Sequence, residues 1–176
     1  IEKIEKPWAC NGRKGEDFHH TVTSIYIDPD VLEVKNKELQ EEYAVIAANE
    51  VRYEAVNMDC DPEIVITAFS TCSRISRNVI RQAAELGIKV GMIRPITLWP
   101  FPYKAIAEAA DMPSVKAFLD VELNAGQMIE DVRLGASGKK PVYFHGRLGG
   151  NLPMQKEILD KIVAIHEGRL TEGGNF

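Results

Sequence analysis

The alternation of short apolar segments with longer amphipathic ones, which begins at Glu63, constrains the fold of this chain more than any other feature. The apolar segments, which predict β-strands, are residues 64–69, 88–93, 115–121 and 141–144. The amphipathic segments, which predict helices, are residues 73–86, 103–110, 126–134 and 153–166. Apolar strands separated by helices are typical of a parallel sheet that is covered on both faces. The sequence therefore predicts a three-layer α/β/α fold.

The segment at the centre of this alternation runs from Gly87 to Pro102. Gly87 is predicted to end the preceding helix, as a glycine just beyond a helix C-terminus commonly does. The strand that follows is succeeded by Pro95, Pro100 and Pro102, which allow neither a helix nor an interior strand to continue. The chain is therefore expected to turn sharply after this strand.

Two large apolar residues lie between these prolines, in the stretch Trp99 to Pro102 that we call the elbow. Because prolines restrict the backbone, the elbow loses little entropy on docking, and Trp99 and Phe101 are predicted to contact another polypeptide. The alternative is that both rings pack inside this domain, against the helix that starts at Tyr103.

The sequence before Glu63 predicts an arm, a surface helix and one edge strand. Asp28 is predicted to cap the helix, which has Pro29 at its first position. Residues 51–56 predict a strand that only about six residues separate from the next one, too few for a parallel crossover. This strand is therefore expected to be antiparallel and at the edge of the sheet. The expected organisation is an arm at residues 1–27, an α/β domain at 28–168 and a flexible tail at 169–176.

The composition argues against several classes of function. A net charge of -5 and a pI near 5.4 argue against a nucleic acid or a membrane as partner. Cys10, Cys60 and Cys72 show no CxxC spacing and leave an odd count, so neither a disulfide framework nor a cysteine-built metal site is predicted. No apolar run approaches the roughly 20 residues that span a bilayer, so a cytoplasmic protein is expected. The chain begins at Ile1 without a methionine, which suggests a piece of a longer protein.

Functional groups in such a sheet gather where the strands end, and the first such loop is Ser70 to Arg74. The hydroxyls of Ser70 and Thr71 are predicted to cap the N–H groups of the following helix. The alternative is that the dipole of the helix that this loop, Ser70 to Arg74, opens binds an anion. Cys72 is a candidate nucleophile, but no supporting side chain lies at a suitable spacing, so a buried and inert cysteine is predicted.

The loops after the next two strands contain further candidates. Arg94 is predicted to pair with Glu122 at the end of the next strand, with Arg74 as a candidate bridge between them. The alternative is that Arg94 binds a phosphate or a carboxylate. In the third loop Asn124 is predicted to be the N-cap of the helix, and Gln127 is placed to reach a partner or a ligand.

The fourth loop, residues 145–151, contains Arg147 among glycines but matches neither a GxGxxG nor a P-loop pattern. A flexible connection is therefore predicted in place of a phosphate-binding loop. The histidines show no ligand spacing that predicts a metal site: His19, His20, His145 and His166. The residue patterns alone predict no catalytic residue, no cofactor-binding residue and no metal ligand.

Three stretches taken together resemble the alpha chain of the 2-oxoacid:ferredoxin oxidoreductases. They begin at Glu63, at Gly87 and at Glu122. The combination of R-P-x-x-L-x-P-F-P from Arg94 with E-x-N-x-G-Q-M from Glu122 is more specific than either motif alone. The resemblance covers Ile64 to Ile165, and it is greatest to the 2-oxoisovalerate (branched-chain) type, with the 2-oxoglutarate type next.

The resemblance implies a domain of transketolase C-terminal type, with a five-stranded mixed sheet in the order 1-3-2-4-5 and strand 1 antiparallel. This agrees with the independent argument for an antiparallel edge strand. The order places the switch point between the strands that end at Phe69 and Val121. Residues 1–27 resemble in part the junction that leaves the family's pyrimidine-binding domain, so they are expected to be a linker from a preceding domain.

The family's chemistry is implied to lie outside this domain. In the family, thiamine diphosphate lies between the pyrimidine domain and a separate beta chain, and the iron-sulfur clusters lie in ferredoxin-like parts. This sequence has neither a thiamine GDG motif nor a cluster motif. Thiamine diphosphate, magnesium and the clusters are therefore expected elsewhere, in complexes with beta and ferredoxin-like or gamma subunits.

The expected function is to assist assembly and to shape the approach to the active site of an enzyme that oxidatively decarboxylates a 2-oxoacid. That enzyme makes an acyl-CoA from coenzyme A and reduces ferredoxin, whereas the isolated domain is expected to be inactive. One alternative is a free-standing flavodoxin-like module that binds a nucleotide or a phosphorylated ligand in a cleft lined by backbone N–H groups. Another is thiol chemistry, which requires an accessible Cys72 sulfur beside a cation.

Overall fold

The structure, a computed structural model, describes residues 4–10, 12, 15 and 20–170. His19, part of the predicted arm, and residues 171–176 of the predicted tail lie outside the described residues. The chain divides into two compact units, Ile1–Ala44 and Val45–Phe176.

The first helix, α1, spans Pro29–Asn49 and crosses the boundary between the two units. Asp28 Oδ1 accepts hydrogen bonds from the N–H of Asp30 at 2.9 Å and from that of Val31 at 3.4 Å. Asp28 therefore caps the helix as predicted, and Pro29 takes the first position, where no hydrogen-bond donor is required. All of α1 is described and none of its residues is buried, so the prediction of a surface helix is confirmed.

The second unit alternates strands and helices as the sequence predicts. Its strands are β1 Tyr53–Val56, β2 Ile64–Ala68, β3 Val90–Pro95, β4 Ala117–Glu122 and β5 Val142–Gly146. Its helices are α2 Ser70–Glu85, α3 Tyr103–Asp111, α4 Met128–Ala136 and α5 Gln155–His166, and a short 3-10 helix covers Met58–Cys60. The bounds differ from the predicted ones by a few residues, as is usual at the ends of elements. Among the described residues, no helix has the length and the apolar composition to cross a membrane.

The five strands form one sheet in the order β1-β3-β2-β4-β5, which confirms the predicted topology. β1 pairs with β3 in antiparallel register, and the other neighbouring strands are parallel. The connection from β1 to β2 is too short for a parallel crossover. β1 is therefore antiparallel and lies at the edge of the sheet, beside β3. The crossovers after β2 and after β3 run in opposite directions. A crevice therefore opens between the carboxyl ends of the neighbouring strands β2 and β4.

Each face of the sheet has its own apolar core. One core joins α3 and α4 to Phe118 and Phe144, and the other joins α2 and α5 to Ile66 and Leu119. Successive residues of a strand point to opposite faces, so Phe118 and Leu119 enter different cores. Strands that are buried on both faces explain the near-continuous apolar runs in the sequence.

Candidate functional site

A cleft of about 420 Å³ lies at the carboxyl ends of β2 and β4, and we call it the switch-point cleft. Ser70 and Cys72 of α2 contribute to one wall, and Glu122, Gln127 and Asp131 line it from β4, the following loop and α4. Most of its lining is apolar. Its position is the one at which doubly wound sheets bind ligands, so its chemistry decides what the domain can hold.

The carboxylate of Glu122, the last residue of β4, lies at the N-terminus of α4. Its Oε1 accepts the N–H of Gln127 and the N–H of Ile129, both at 3.1 Å, and its Oε2 accepts that of Met128 at 2.9 Å. Asn124 Nδ2 also donates to Oε2, at 2.9 Å. The first N–H groups of a helix have no partner within the helix, and the helix dipole favours a negative charge there. Glu122 therefore takes the place that an anionic ligand would take.

The prediction that Asn124 is the N-cap of α4 is wrong. The helix begins at Met128, too far along the chain for that role. Asn124 Oδ1 instead accepts the N–H of Gly126 at 2.7 Å, which closes a local turn. Gly126 has a φ of +104°, a conformation that glycine adopts readily in a tight turn. Asn124 thus shapes the loop, while Glu122 caps the helix from the end of the strand.

Asp120, which the sequence analysis did not single out, places a second carboxyl behind Glu122. Its side chain is fully buried, and its Oδ1 accepts the hydroxyl hydrogen of Thr67, directly opposite on β2, at 2.6 Å. Residues two apart on a strand face the same side, so Asp120 and Glu122 both point towards the layer of α3 and α4. The Asp-x-Glu spacing on a buried strand was the sequence signal that could have revealed this pair.

The structure shifts the pKa values of these two carboxyls in opposite directions. Burial raises the pKa of Asp120 well above its ordinary value, and the hydrogen bond to Glu122 with its negative charge raises it further. Burial alone would also raise the pKa of Glu122, but the hydrogen bond from Asp120 and those at the start of α4 lower it. Asp120 Oδ2 is buried and has no hydrogen-bond partner among the described residues, so a negative charge there is not compensated. Asp120 is therefore the neutral member and Glu122 the charged one.

The predicted pair of Arg94 with Glu122 does not form. Arg94 Nη1 donates to Glu54 Oε2 at 3.1 Å, and Arg77 Nη2 donates to the same oxygen at 2.6 Å. Glu54 lies on β1, directly opposite Arg94 in the antiparallel register. The hydrogen bonds from Arg77 and Arg94 lower the pKa of Glu54. Arg94 and Glu122 do end strands at the same edge, but β2 separates those strands, and Arg74 is exposed on α2.

The hydroxyls of the first loop do not cap α2, so the predicted capping by Ser70 and Thr71 is wrong. The helix begins at Ser70, and its N-cap residue, Phe69, has no polar side-chain atom to offer. Ser70 has a φ of +49°, in the left-handed region that residues other than glycine rarely adopt. Ser73 Oγ donates to the Ser70 carbonyl oxygen at 2.6 Å and so holds the turn.

Cys72 is buried, with 2% of its surface exposed. Burial, and after it the carboxyls of Asp120 and Glu122, raise the pKa of its thiol to about 11. A thiolate is the nucleophilic form of cysteine, and this setting disfavours it. The prediction of a buried cysteine is confirmed, and the burial of the sulfur does not support the alternative of thiol chemistry, which requires an accessible thiol.

The two rings of the elbow have different environments. The Trp99–Pro100 peptide bond is cis. Phe101 is 4% exposed and packs edge to face against Tyr103, with ring centroids 5.1 Å apart. Trp99 is 58% exposed. Phe101 therefore packs inside the domain, as the alternative stated. Trp99 remains a candidate for contact with another polypeptide.

Arg147 holds the fourth loop against the start of α5. Its Nη1 donates to Glu157 Oε1 at 2.7 Å, and Glu157 Oε2 accepts the N–H of Met154 at 2.9 Å. His145 is buried next to this pair, with Nε2 at 3.5 Å from Glu157 Oε2, and burial lowers the pKa of the imidazole. Within residues 20–170 and the shorter described stretches before them, no group of side chains could hold a metal ion.

The structure brings only part of the predicted set together in the switch-point cleft: Ser70, Glu122, Asn124 and Gln127. The remaining predicted residues lie outside its lining: Thr71, Arg74, Arg94, Trp99, Phe101 and Arg147. The amide N–H groups that would bind an anion at α4 are already hydrogen-bonded to Glu122. The chemistry of the cleft therefore does not favour the alternative of a phosphate-binding module.

The sequence of this chain is similar to those of known proteins. The chain matches the family model described as pyruvate:ferredoxin oxidoreductase core domain II over residues 62–158. It is 46% identical, over 90% of its length, to the ketoisovalerate oxidoreductase subunit VorB of Methanothermobacter thermautotrophicus. It is 35% identical, over 60% of its length, to the 2-oxoglutarate synthase subunit KorA of Methanothermobacter marburgensis. It spans 44% of that VorB and 28% of that KorA, so it covers less than half the length of these relatives.

The fold also matches a solved structure, that of a 2-oxoglutarate:ferredoxin oxidoreductase from Magnetococcus marinus. The TM-score is 0.63, the sequence identity is 18%, and the match covers 78% of this chain and 24% of the other. At this identity the likeness shows the fold alone. Neither the relatives nor the fold support a free-standing flavodoxin-like module. The relatives named above are subunits of 2-oxoacid oxidoreductases. The match over residues 62–158 shows that the chain belongs to the pyruvate:ferredoxin oxidoreductase core domain II family.

Proposed function

We propose that this chain is the supporting domain of the alpha subunit in a 2-oxoisovalerate:ferredoxin oxidoreductase. The whole enzyme oxidatively decarboxylates the branched-chain 2-oxoacid, forms an acyl-CoA and reduces ferredoxin. The observation that carries the proposal is the 46% identity to a ketoisovalerate oxidoreductase subunit over 90% of the chain. The lower identity to 2-oxoglutarate synthase subunits supports the branched-chain substrate over 2-oxoglutarate.

The domain has a structural role in this proposal. Residues 28–168 form the supporting domain and residues 1–27 lead into it from a preceding domain. Glu122 at the switch point holds the start of α4, and the Cys72 thiol that lines the same cleft is buried. The domain assists assembly and shapes the approach to an active site that lies outside it.

The cofactors belong to other parts of the complex in this proposal. Thiamine diphosphate and magnesium are held by the pyrimidine domain and the beta subunit, and the iron-sulfur clusters by ferredoxin-like or gamma parts. The lack of a GDG motif and of any cysteine cluster motif in the sequence supports this division. Coenzyme A and ferredoxin are used by the whole enzyme.

The test is to purify the complete oxidoreductase that contains this chain and to measure ferredoxin reduction with coenzyme A and different 2-oxoacids. We expect the highest kcat/KM with 2-oxoisovalerate, compared with 2-oxoglutarate and pyruvate. A preference for 2-oxoglutarate would contradict the substrate assignment. Calorimetric titration of the chain alone with thiamine diphosphate is expected to show no saturable binding, and saturable binding would contradict the supporting role.

A further inference from the structure

We propose that the switch-point cleft receives a segment of another polypeptide of the complex, with an apolar side chain in the cleft and a lysine or arginine at Asp131. This inference rests on the proposed function, because it requires the chain to work inside a complex. In doubly wound enzymes this position binds a small ligand. Here we expect it to bind the segment of the other polypeptide, and we call the cleft in this role the subunit socket.

The shape and the apolar rim of the cleft support a docking role. Phe69, Leu98 and Leu123 line it and are 39%, 47% and 44% exposed. Buried Val121 and Met128 also contribute to its lining. Large apolar side chains that stay exposed around a concave site are typical of surfaces that another molecule covers.

The charge of the cleft selects the chemistry of its occupant. Among the described residues that line it, the charged side chains are Glu122 and Asp131, both acidic. The Glu122 carboxylate is already hydrogen-bonded to the start of α4. Asp131 accepts the hydroxyl hydrogen of Tyr103, and this hydrogen bond raises the pKa of Tyr103 to about 12. An anionic ligand such as a phosphate or a 2-oxoacid is therefore repelled, whereas a cationic side chain is attracted.

The extent of the apolar surface favours a polypeptide over a small amine. Beyond Leu98 the chain continues into Trp99, and Ile96 lies on the other side of Leu98 in the sequence. Trp99 is 58% exposed and Ile96 is 47% exposed, and neither lines the cleft. A small molecule in the cleft would leave both in water, while a docked segment can cover them as well.

The elbow is already ordered for such a contact. Phe101 is buried in the core, and Thr97 Oγ1 donates to the Pro100 carbonyl oxygen at 3.0 Å. Pro100 restricts the backbone between Thr97 and Phe101. A partner therefore meets a surface that loses little conformational entropy on binding, which favours a tight contact.

The occupant is identified by photo-crosslinking in the purified complex. A photoreactive phenylalanine derivative replaces Leu98 in the full-length chain, and a matched complex carries the same group at Leu134, an exposed residue of α4 that does not line the cleft. We expect the Leu98 crosslink to map to a different polypeptide, to a segment with a lysine or arginine next to an apolar residue. A crosslink to a second copy of this chain, or to no polypeptide, would overturn the proposal.

Charge reversal tests the role of Asp131. In the complete oxidoreductase, Asp131→Lys is expected to weaken subunit association at least about tenfold and to remove part of its salt dependence. Glu130→Lys is the matched control, since it makes the same change at the neighbouring position of α4, outside the cleft. Melting temperatures of both variant chains, measured without partners, keep a folding defect separate from a docking defect.

The outcomes separate this inference from the proposed function. If the chain copurifies with no oxidoreductase subunit, the proposed function fails. If an active complex forms and Asp131→Lys associates with the affinity and salt dependence of the Glu130→Lys control, the proposed function stands and the socket is wrong. If a small amine protects the cleft peptides from hydrogen exchange in the free chain as fully as assembly does, the occupant is a small molecule and the proposal is also wrong.

Discussion

The raised pKa of the buried Asp120 predicts that Asp120→Asn stabilises the domain at neutral pH. The pKa of Asp120 is raised in the folded state, so between its unfolded pKa and its folded pKa the folded state binds more protons than the unfolded state. Stability is therefore lost as the pH rises through this window, which starts near the ordinary aspartate pKa of about 3.9. Each pH unit within the window costs about 1.4 kcal/mol. Asparagine is neutral at every pH, and its amide can donate to Glu122 while its oxygen accepts from Thr67.

The assay is urea unfolding of the chain and of the Asp120→Asn variant at pH values from about 4 to about 9, in steps of about one unit. Near pH 4 the two free energies of unfolding are expected to be equal within about 1 kcal/mol, and the advantage of the variant then grows by about 1.4 kcal/mol per unit until Asp120 ionises. Asp160→Asn, the same change at an exposed position of α5, is the control and should shift stability by less than about 0.5 kcal/mol. A difference between Asp120→Asn and wild type that does not vary with pH would refute the raised pKa of Asp120.

Four further predictions follow from the described contacts. Glu122→Gln is expected to cost about 3 kcal/mol in urea unfolding, because it removes the charge that accepts the first N–H groups of α4; a change below 1 kcal/mol would contradict its capping role. Phe101→Ala is expected to cost about 3 to 5 kcal/mol, whereas Trp99→Ala should leave unfolding nearly unchanged and weaken assembly; equal losses of stability would show that Trp99 is core. Iodoacetamide at pH 8 is expected to leave Cys72 unmodified in the native chain, as mass spectrometry would show, and rapid labelling would contradict its burial. Gly146→Ala is expected to cost about 1 to 3 kcal/mol, since its Cβ would lie 2.5 Å from the Asn124 carbonyl oxygen; a neutral result would mean that this loop moves freely.

The sequence predicted those parts of the fold that depend on local pattern and on chain length. The antiparallel β1 followed from the short connection to β2. The end of α2 at Glu85 followed from Gly87 just beyond it, whose N–H donates to the Ala84 carbonyl oxygen at 3.0 Å. The full strand order needed more than local pattern, because several orders satisfy the same alternation. The family resemblance supplied that order, and the structure confirms it.

The residues of the site were harder to predict, because their partners come from outside the loop that holds them. Asn124 has the residue type of an N-cap, but the carboxylate at the end of β4 reaches over the turn and takes the N–H groups first. The sequence predicted that Arg94 pairs with Glu122, which ends the next strand along the chain. In space its neighbour is β1, so Glu54 is the nearer acceptor. A correct prediction would have combined the antiparallel edge strand with its register.

The carboxylate of Glu122 occupies the anion-binding position at the start of α4, so the protein itself supplies the anion there. A free anion stabilises a protein only in proportion to how far its concentration exceeds its dissociation constant, and the benefit disappears on dilution. A carboxylate attached to the adjoining strand has a fixed effective concentration, so its contribution is the same in a dilute solution and in a crowded cell. The position that other doubly wound folds keep open for metabolites has here become part of the scaffold. Anion-binding activity at this helix would therefore first require the loss of a stabilising side chain.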